Sequence, residues 1–202
     1  MTRRLSLLLL GTFLVSCGGS PPVPVDHFYR LTPSSPAVAK RRLTEESIYV
    51  ENFAAEGLYN DRALLFSNDD QASDLQQHHY HYWYTSPPRL LRDYLVQFMR
   101  NADVSPLIMD EAGMSGMPRI AGKILAFERR RTPTGSTADV ALELRLDKPG
   151  SDLPLLLRQY RASIDINGKD MAAVVSGFNT AVDRIYGEFL EDLGTALRAP
   201  VL

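Results

Sequence analysis

Residues 137–146, Thr-Ala-Asp-Val-Ala-Leu-Glu-Leu-Arg-Leu, decide the fold that we predict for this chain. Apolar side chains occupy every second position from Ala138 onward, and Asp139, Glu143 and Arg145 fall between them. Because successive side chains of a strand point to opposite faces, this alternation predicts a strand with one buried and one wet face. A sheet that is wet on one face is typical of antiparallel strands.

The segments on both sides of this stretch continue the sheet. Residues 120–127 and 153–166 are rich in β-forming side chains, and a turn at residues 147–150 separates the last two strands. We therefore predict three consecutive antiparallel strands. The basic run 129–131 lies where the first hairpin turns, which is typical of a solvated position.

Four earlier segments are predicted as strands or as turns that lead into strands. They are residues 28–31 at a sheet edge, 47–53 at its centre, 57–66 after a turn, and 78–84. The last of these carries seven consecutive ring-bearing side chains, which favour a strand because rings lose rotamer freedom in a helix. The polar residues 67–77 are predicted as a loop.

Two amphipathic segments predict helices. The first begins after Ser86, with Pro87 at its first position, and its apolar stripe ends near Asn101. The second is capped by Asp170, and its apolar positions extend to Leu197. The chain is therefore predicted to be α+β, with a mainly antiparallel sheet, two helices packed on one face, and the other face open to a partner.

The N-terminus is typical of a bacterial lipoprotein signal peptide. Arg3 and Arg4 precede an apolar run, too short to cross a bilayer, which ends at Leu14-Val15-Ser16-Cys17. This ending resembles a lipobox, and the resemblance implies cleavage before Cys17 and acylation of that residue. The alternative is a plain signal peptide with an incidental cysteine, which is less favoured because an unpaired thiol is a liability in an oxidising compartment.

The expected organisation has three parts. Residues 1–16 are a lipoprotein signal peptide, residues 17–26 are the lipidated cysteine with a Pro/Gly-rich tether, and residues 27–198 are a single periplasmic α+β domain. The tether reaches at most ~30 Å. Gly18 stands where enteric bacteria use an aspartate as an inner-membrane retention signal, so we expect an outer-membrane lipoprotein facing the periplasm rather than an inner-membrane one.

The charge of the chain argues against nucleic acid as a partner. Removing Arg3 and Arg4 from 22 basic side chains leaves 20 against 24 acidic ones, a net charge near −4 for the mature chain. With one cysteine in all, stability must come from an apolar core, for which the 45% hydrophobic content is sufficient.

The sequence lacks the usual motifs of catalysis and metal binding. Residues 113–116, Gly-Met-Ser-Gly, lack the spacing of a nucleophile elbow, and no glycine-rich nucleotide loop follows a strand. His79 and His81 would share one face of their strand, next to His78, but no further ligand follows at metal spacing. The acidic run that includes Asp69 and Asp70 has no calcium-loop pattern. We therefore expect no metal, no cofactor and no enzymatic activity.

The order of several motifs resembles the ABC-type transport auxiliary lipoprotein family, to which the PqiC-like lipoproteins belong. The motifs are the lipobox, Phe-Tyr-Arg-Leu-Thr-Pro at 28–33, Tyr-Asn-Asp-Arg-Ala-Leu-Leu-Phe at 59–66, and Tyr-Trp-Tyr-Thr-Ser-Pro-Pro at 82–88. The resemblance runs from residue 14 to about residue 197. Ala63 and the histidines before Trp83 depart from the family pattern.

The resemblance implies a non-enzymatic, membrane-anchored accessory. Its partner would be an MCE-domain, PqiB-like subunit of an ABC transporter that moves phospholipid or other apolar molecules between the inner and outer membranes, and a homo-oligomer is compatible with that setting. Tyr59, Arg62, Tyr82 and Trp83 are the candidates for the partner-binding surface, with a purely structural role as the alternative for Trp83 and for Arg62.

Two other functions stay open. One is an outer-membrane lipoprotein that activates a cell-wall synthase, a role that usually needs a longer tether than residues 17–26. The other is a lipoprotein hydrolase, which the missing nucleophile motif disfavours.

Overall fold

The computed structural model describes residues 23–33, 42–68, 71–111 and 116–198. The predicted signal peptide, Cys17 and the first part of the tether lie outside these ranges, and so do Asp69 and Asp70. The elements are β1 (His27–Tyr29), β2 (Ile48–Val50), a 3-10 helix (Gly57–Asn60), β3 (Ala63–Asn68), β4 (Gln71–Trp83), α1 (Pro87–Asn101), β5 (Ile108–Met109), β6 (Arg119–Thr132), β7 (Gly135–Asp147), β8 (Leu156–Asp165) and α2 (Met171–Arg198). Along this part of the chain, no helix has both the length and the hydropathy needed to cross a membrane.

The stretch 137–146 forms most of β7, which is antiparallel to both of its neighbours. It pairs with β6 from Arg119 opposite Asp147 to Thr132 opposite Gly135, and with β8 along most of its length. The predicted alternation is confirmed, because all five apolar positions from Ala138 to Leu146 are buried. β6 and β7 were predicted too short by one to five residues at each end, since polar ends carry no apolar signal, whereas β8 begins three residues later and ends one residue earlier than predicted.

The other edge of β6 carries two separate groups of strands, so the sheet forks there. Near its start β6 pairs with β2, which pairs in turn with β5. Near its end it pairs with β3, which continues to β4 and then to β1 at the edge. The result is an open eight-stranded sheet, antiparallel over its long pairings, with short parallel pairings at β1, β2, β3 and β5.

Both helices pack on one face of this sheet, as predicted. The N–H of Ala173 donates to Asp170 Oδ1 over 2.9 Å, which confirms the cap of α2. A Cβ at Gly177 would lie 3.2 Å from that of Ala138, so α2 approaches the sheet closely there. α1 has the predicted bounds, but the Ser86 hydroxyl makes no cap hydrogen bond. Tyr186 Oη of α2 donates to the carbonyl of Leu91, which joins the two helices.

The prediction of a loop over residues 67–77 is wrong. β3 extends to Asn68, and β4 begins at Gln71 and runs antiparallel to it. The polar side chains of this region give no alternating pattern from which a strand could be predicted. Its backbone groups nevertheless form ladder hydrogen bonds, because such bonds do not depend on the side chains. The polar Ser67 is itself fully buried.

Six of the seven ring-bearing residues, 78–83, lie in β4 as predicted, while Tyr84 follows the strand, which is bulged in this region. Ala63 is opposite Tyr82 and Leu65 is opposite Gln77, so extra residues are inserted on β4 between these pairs. Tyr80 takes a φ of 63° within the insertion. A bulge interrupts the alternation of side chains between the two faces of a strand. The prediction that His79 and His81 share one face assumed an uninterrupted strand, so it does not apply across the bulge.

Candidate functional site

An open hollow lies where β1, β4 and the start of β3 meet. It has a volume of about 490 Å³ and is lined by Asp26, Phe28, Asp61, Arg62, Ala63, Gln77 and Tyr82. We call these seven residues the Arg62 surface. Its volume lies within the range of small-ligand and anchor-residue pockets, and two of its members, Arg62 and Tyr82, are among the predicted partner-binding residues.

Aromatic rings and one guanidinium form the centre of the Arg62 surface. The rings of Phe28 and Tyr82 lie 5.8 Å apart, and Arg62 Cζ lies 5.1 Å from the centre of the Phe28 ring. Phe28 is 55% exposed. Arginine and large aromatic side chains are enriched at the centres of protein interfaces, so this composition suits the docking of a partner.

Strand register brings these residues together. β1 runs parallel to β4 with Phe28 opposite Tyr82, which places both rings side by side. The backbone N–H of Trp83 donates to the carbonyl of Arg62 over 2.6 Å, and Arg62 Nε donates to the carbonyl of Trp83 over 3.2 Å. Arg62 is therefore fixed to β4 by two hydrogen bonds, although it lies outside any strand.

Trp83 belongs to the core rather than to this surface. Its side chain is 1% exposed, and its ring centre lies 5.1 Å from that of Phe127 and 5.4 Å from that of Phe178. Core packing, the alternative considered for this residue, is what the structure shows. Its contribution to the Arg62 surface is made by its backbone, which binds Arg62.

Tyr59 also lies away from the Arg62 surface, in the notch where the sheet forks. Its hydroxyl donates to Glu128 Oε2 over 2.5 Å, and Ser67 Oγ donates to Glu128 Oε1 over 2.8 Å. Glu128 is only 7% exposed. Burial raises the pKa of Tyr59, and the bonded carboxylate raises it further, so the phenol stays protonated and keeps donating to Glu128.

Phe28 is the aromatic residue of this surface that sequence reasoning did not select. It lies in the motif 28–33 that carried the family resemblance, but the motif was interpreted as an edge strand alone. An exposed phenylalanine cannot be recognised from a three-residue strand, because such a strand has no alternation that separates its wet face from its buried one.

The histidines near the bulge pack as rings. His27 stacks on His81 with ring centres 5.3 Å apart, and Tyr29 Oη lies 2.8 Å from His81 Nδ1. Burial and the neighbouring His27 lower the pKa of His81. Among the residues that the structure describes, no three histidine, cysteine or acidic side chains are grouped so that they could hold a metal ion.

One family model matches most of the chain, and solved structures share its fold. A family model described as "ABC-type transport auxiliary lipoprotein component" matches residues 29–188. The fold is similar to protein XCC0632 from Xanthomonas campestris, with a TM-score of 0.69 and 16% identity, over 84% of this chain and 95% of that one. It is also similar to the hypothetical protein CT253 from Chlamydia trachomatis, with a TM-score of 0.54 and 7% identity, over 78% and 100% of the two chains. No curated protein matches the sequence.

Proposed function

The chain belongs to the ABC-type transport auxiliary lipoprotein family, and from this membership we propose that it serves an ABC transporter whose MCE-domain, PqiB-like subunit is its partner. The family consists of auxiliary transport components rather than enzymes, and its lipoprotein character places the protein in the cell envelope. The proposed cargo is phospholipid or another apolar molecule that moves between the inner and outer membranes. The protein would be held at the outer membrane, facing the periplasm, by acylated Cys17.

The observation that carries this proposal is the position of the Arg62 surface. It lies on the face of the sheet that the helices leave uncovered, and Asp26, the last residue of the proposed tether, lines it. Asp26 lies nine positions after Cys17, a reach of at most ~30 Å. A partner subunit that approaches the membrane would therefore meet this surface close to the point where the protein is attached.

Residues of the Arg62 surface suit a protein partner in both charge and shape. Asp26 and Asp61 line the same hollow as Arg62, and the rings of Phe28 and Tyr82 supply flat apolar area. An arginine fixed by its own Nε keeps its terminal nitrogens available to acceptors on a partner. We propose that Arg62 and Tyr82 contact the partner directly, while the Trp83 backbone holds Arg62 in place and Tyr59, in the notch, takes no part in that surface.

The test is an affinity pull-down of the tagged full-length protein from detergent-solubilised envelopes, with bound proteins identified by mass spectrometry. We expect an MCE-domain subunit with its permease and ATPase. Cys17→Ala should lose attachment to the membrane. Arg62→Ala and Tyr82→Ala should reduce recovery of the transporter at least fivefold, while Arg161→Ala, an exposed strand arginine bonded only to Gln159, serves as the matched control.

Three outcomes would contradict the proposal. Recovery of a penicillin-binding protein would favour the activator of a cell-wall synthase. Turnover of generic esters by the purified protein would favour the hydrolase. If the Arg62→Ala and Arg161→Ala variants recover the transporter at the same level, the transport role stands, but the Arg62 surface is not the binding site for the transporter.

A further inference from the structure

A second group of basic side chains lies at the far end of β6, on the helix side of the sheet. Arg129 is paired with Ala138 and Arg131 with Ser136, and both of these partners on β7 are buried. Arg130 points to the opposite face, where it binds Asp139 over 2.7 Å. Because side chains alternate along a strand, Arg129 and Arg131 point to one side with their Cα atoms about 7 Å apart.

Both guanidiniums are held in place by neighbouring side chains. Arg131 Cζ lies 3.8 Å from the centre of the Phe66 ring, and Arg129 Nε donates to Ser136 Oγ over 3.1 Å. Neither contact neutralises a positive charge, and the terminal nitrogens of Arg129 stay available to an acceptor. Within the described ranges, no carboxylate oxygen lies within 4 Å of either guanidinium.

The missing carboxylate sets this pair apart from comparable arginines. The described chain has four other half-buried arginines, and each lies within 4 Å of a carboxylate oxygen: Arg92, Arg119, Arg130 and Arg145. The arginines that lack such a partner elsewhere are exposed, so water solvates them. Arg129 and Arg131 are partly removed from water without compensation, which is unfavourable for a charged group.

His78 adds a neutral donor beside the two guanidiniums. Its ring centre lies 4.6 Å from that of Phe66, the ring that Arg131 covers, and its Nε2 is buried without a hydrogen-bond partner among the described residues. Burial lowers the pKa of His78 to about 4, together with the charges of Arg131 and Arg129. The imidazole is therefore neutral at pH 7 and can present an N–H at Nε2.

Two described carboxylates near this end of β6 are already bound on the opposite face. Glu128 accepts hydrogen bonds from Tyr59 and Ser67, and Asp139 accepts them from Arg130, Thr137 and Ser163. These acids cannot turn to Arg129 or Arg131 without breaking those bonds. Neither of these two described acids is free to neutralise the pair, whereas an anion from solution can supply the missing negative charge.

We propose that Arg129, Arg131 and His78 form a binding site for a phosphate group. Two guanidiniums offer paired N–H donors that match the oxygens of phosphate, and an imidazole N–H supplies one more. A carboxylate has two oxygens in one plane, which a single guanidinium satisfies, whereas the tetrahedral oxygens of phosphate can accept from several directions. This site is separate from the Arg62 surface, and it does not depend on the proposed transport role.

The phosphate group bound at this site can come from two sources, a free phosphate ion and the phosphate of a lipid headgroup. The test uses the full-length protein in a neutral detergent, labelled with ¹⁵N-histidine, and follows the His78 ring signals by NMR. His78→Gln identifies these signals by their loss. The protein is titrated with inorganic phosphate, and with chloride at the same ionic strength as the control. In a second pair of titrations, dihexanoyl phosphatidic acid is the ligand and dihexanoyl phosphatidylcholine is the control.

We expect a saturable shift of the His78 signals with phosphate and none with chloride. Arg131→Gln should weaken the apparent affinity at least tenfold, and Arg131→Lys severalfold, since lysine keeps the charge but loses the planar donors. Arg161→Gln is the matched control and should bind as the original protein does. Tighter binding of phosphatidic acid than of inorganic phosphate would assign the site to a lipid headgroup, and the reverse would assign it to the free ion.

The proposal is overturned if neither phosphate source shifts His78, or if Arg131→Gln and Arg161→Gln bind alike. The first result needs no Arg131 variant, so it decides the question even if the Arg131 variants fail to fold.

Discussion

The two sides of β6 are built in different ways. On one side, β7 and β8 follow along the chain as long antiparallel hairpins, covered by α2. On the other side, β2 and β3 come from distant segments and pair with β6 over two or three residues each, in parallel. The regular side buries one complete face of β7, whereas the forked side carries the Arg62 surface and the bulge. Local alternation thus builds a stable support, and the functional candidates lie where alternation ends.

Loss of the aromatic contact between the two sides should have the largest effect on stability. Phe178 of α2 packs against Phe127 of β6 and Trp83 of β4, and it is 1% exposed. Phe178→Ala should reduce the free energy of unfolding by about 3–5 kcal/mol, because it opens a cavity between both sides. Urea denaturation measures this. Tyr82→Ala on the open face should lose under about 1 kcal/mol, and equal losses would show that the two sides do not differ.

A close approach inside the notch gives the next effect. A Cβ at Gly122 of β6 would lie 2.8 Å from three ring carbons of Phe53. Gly122→Ala should therefore destabilise the protein by about 1–3 kcal/mol through overpacking. Gly135→Ala is the matched control on the regular hairpin, since no atom lies within 4 Å of its added Cβ, and it should change stability by less than about 0.5 kcal/mol. If Phe53→Leu fails to relieve the Gly122→Ala loss, the proposed contact is not its cause.

The bulged strand should make the forked side sensitive to pH. The pKa of His78 is lowered to about 4 by burial and by Arg131 and Arg129, against about 6.5 in the unfolded chain. Between these values the unfolded state binds more protons, so stability is full above pH 6.5 and falls as the pH drops toward 4. Because His78 is only half-buried, we discount the loss for solvent screening to about 1 kcal/mol.

Urea denaturation at a series of pH values from 4 to 7, in buffers without phosphate, measures this loss. His78→Gln should flatten the dependence on pH within the window, while His79→Gln, at an exposed position, should leave it unchanged. If the stability of the His78→Gln variant still falls between pH 6.5 and 4, another titratable group causes the pH dependence.

The smallest effect concerns the hydroxyl in the notch. Tyr59→Phe removes one of the two hydroxyl groups that donate to the buried Glu128 and should destabilise the protein by about 1 kcal/mol. Tyr84→Phe is the matched control, because its ring is 48% exposed. Thermal unfolding of the two variants side by side makes the comparison. Equal melting temperatures would mean that water replaces Tyr59 without loss.

Much of the regular side was predictable from the sequence. The bounds of α1, the cap at Asp170 and the alternation at 137–146 were all predicted, because each depends on residues that are neighbours in sequence. The parallel pairings of β2 and β3 were not predictable. Short strands have too few positions for a period to be recognised, and their partners lie tens of residues away.

The candidate site was predicted only in part, for the same reason. Arg62 and Tyr82 were selected through the family resemblance, and both line the surface. Trp83 is adjacent to Tyr82 but points into the core, and Phe28 was missed although it completes the surface. The register of β1 on β4 decides which of these rings is wet, and that register is a long-range property.

By itself the sequence determined the α+β class, the two helices, the regular hairpins and the resemblance to a lipoprotein family, because periodicity and ordered motifs are local properties of the chain. Only the tertiary structure decided the fork at β6, the bulge before Trp83 and the pairing of charges. It left Arg129 and Arg131 without a carboxylate among the described residues, while Arg130 between them is bound to Asp139. Three identical neighbours in sequence thus have different environments, because the pleat of a strand sends alternate side chains to opposite faces and the fold supplies an acid on only one of them.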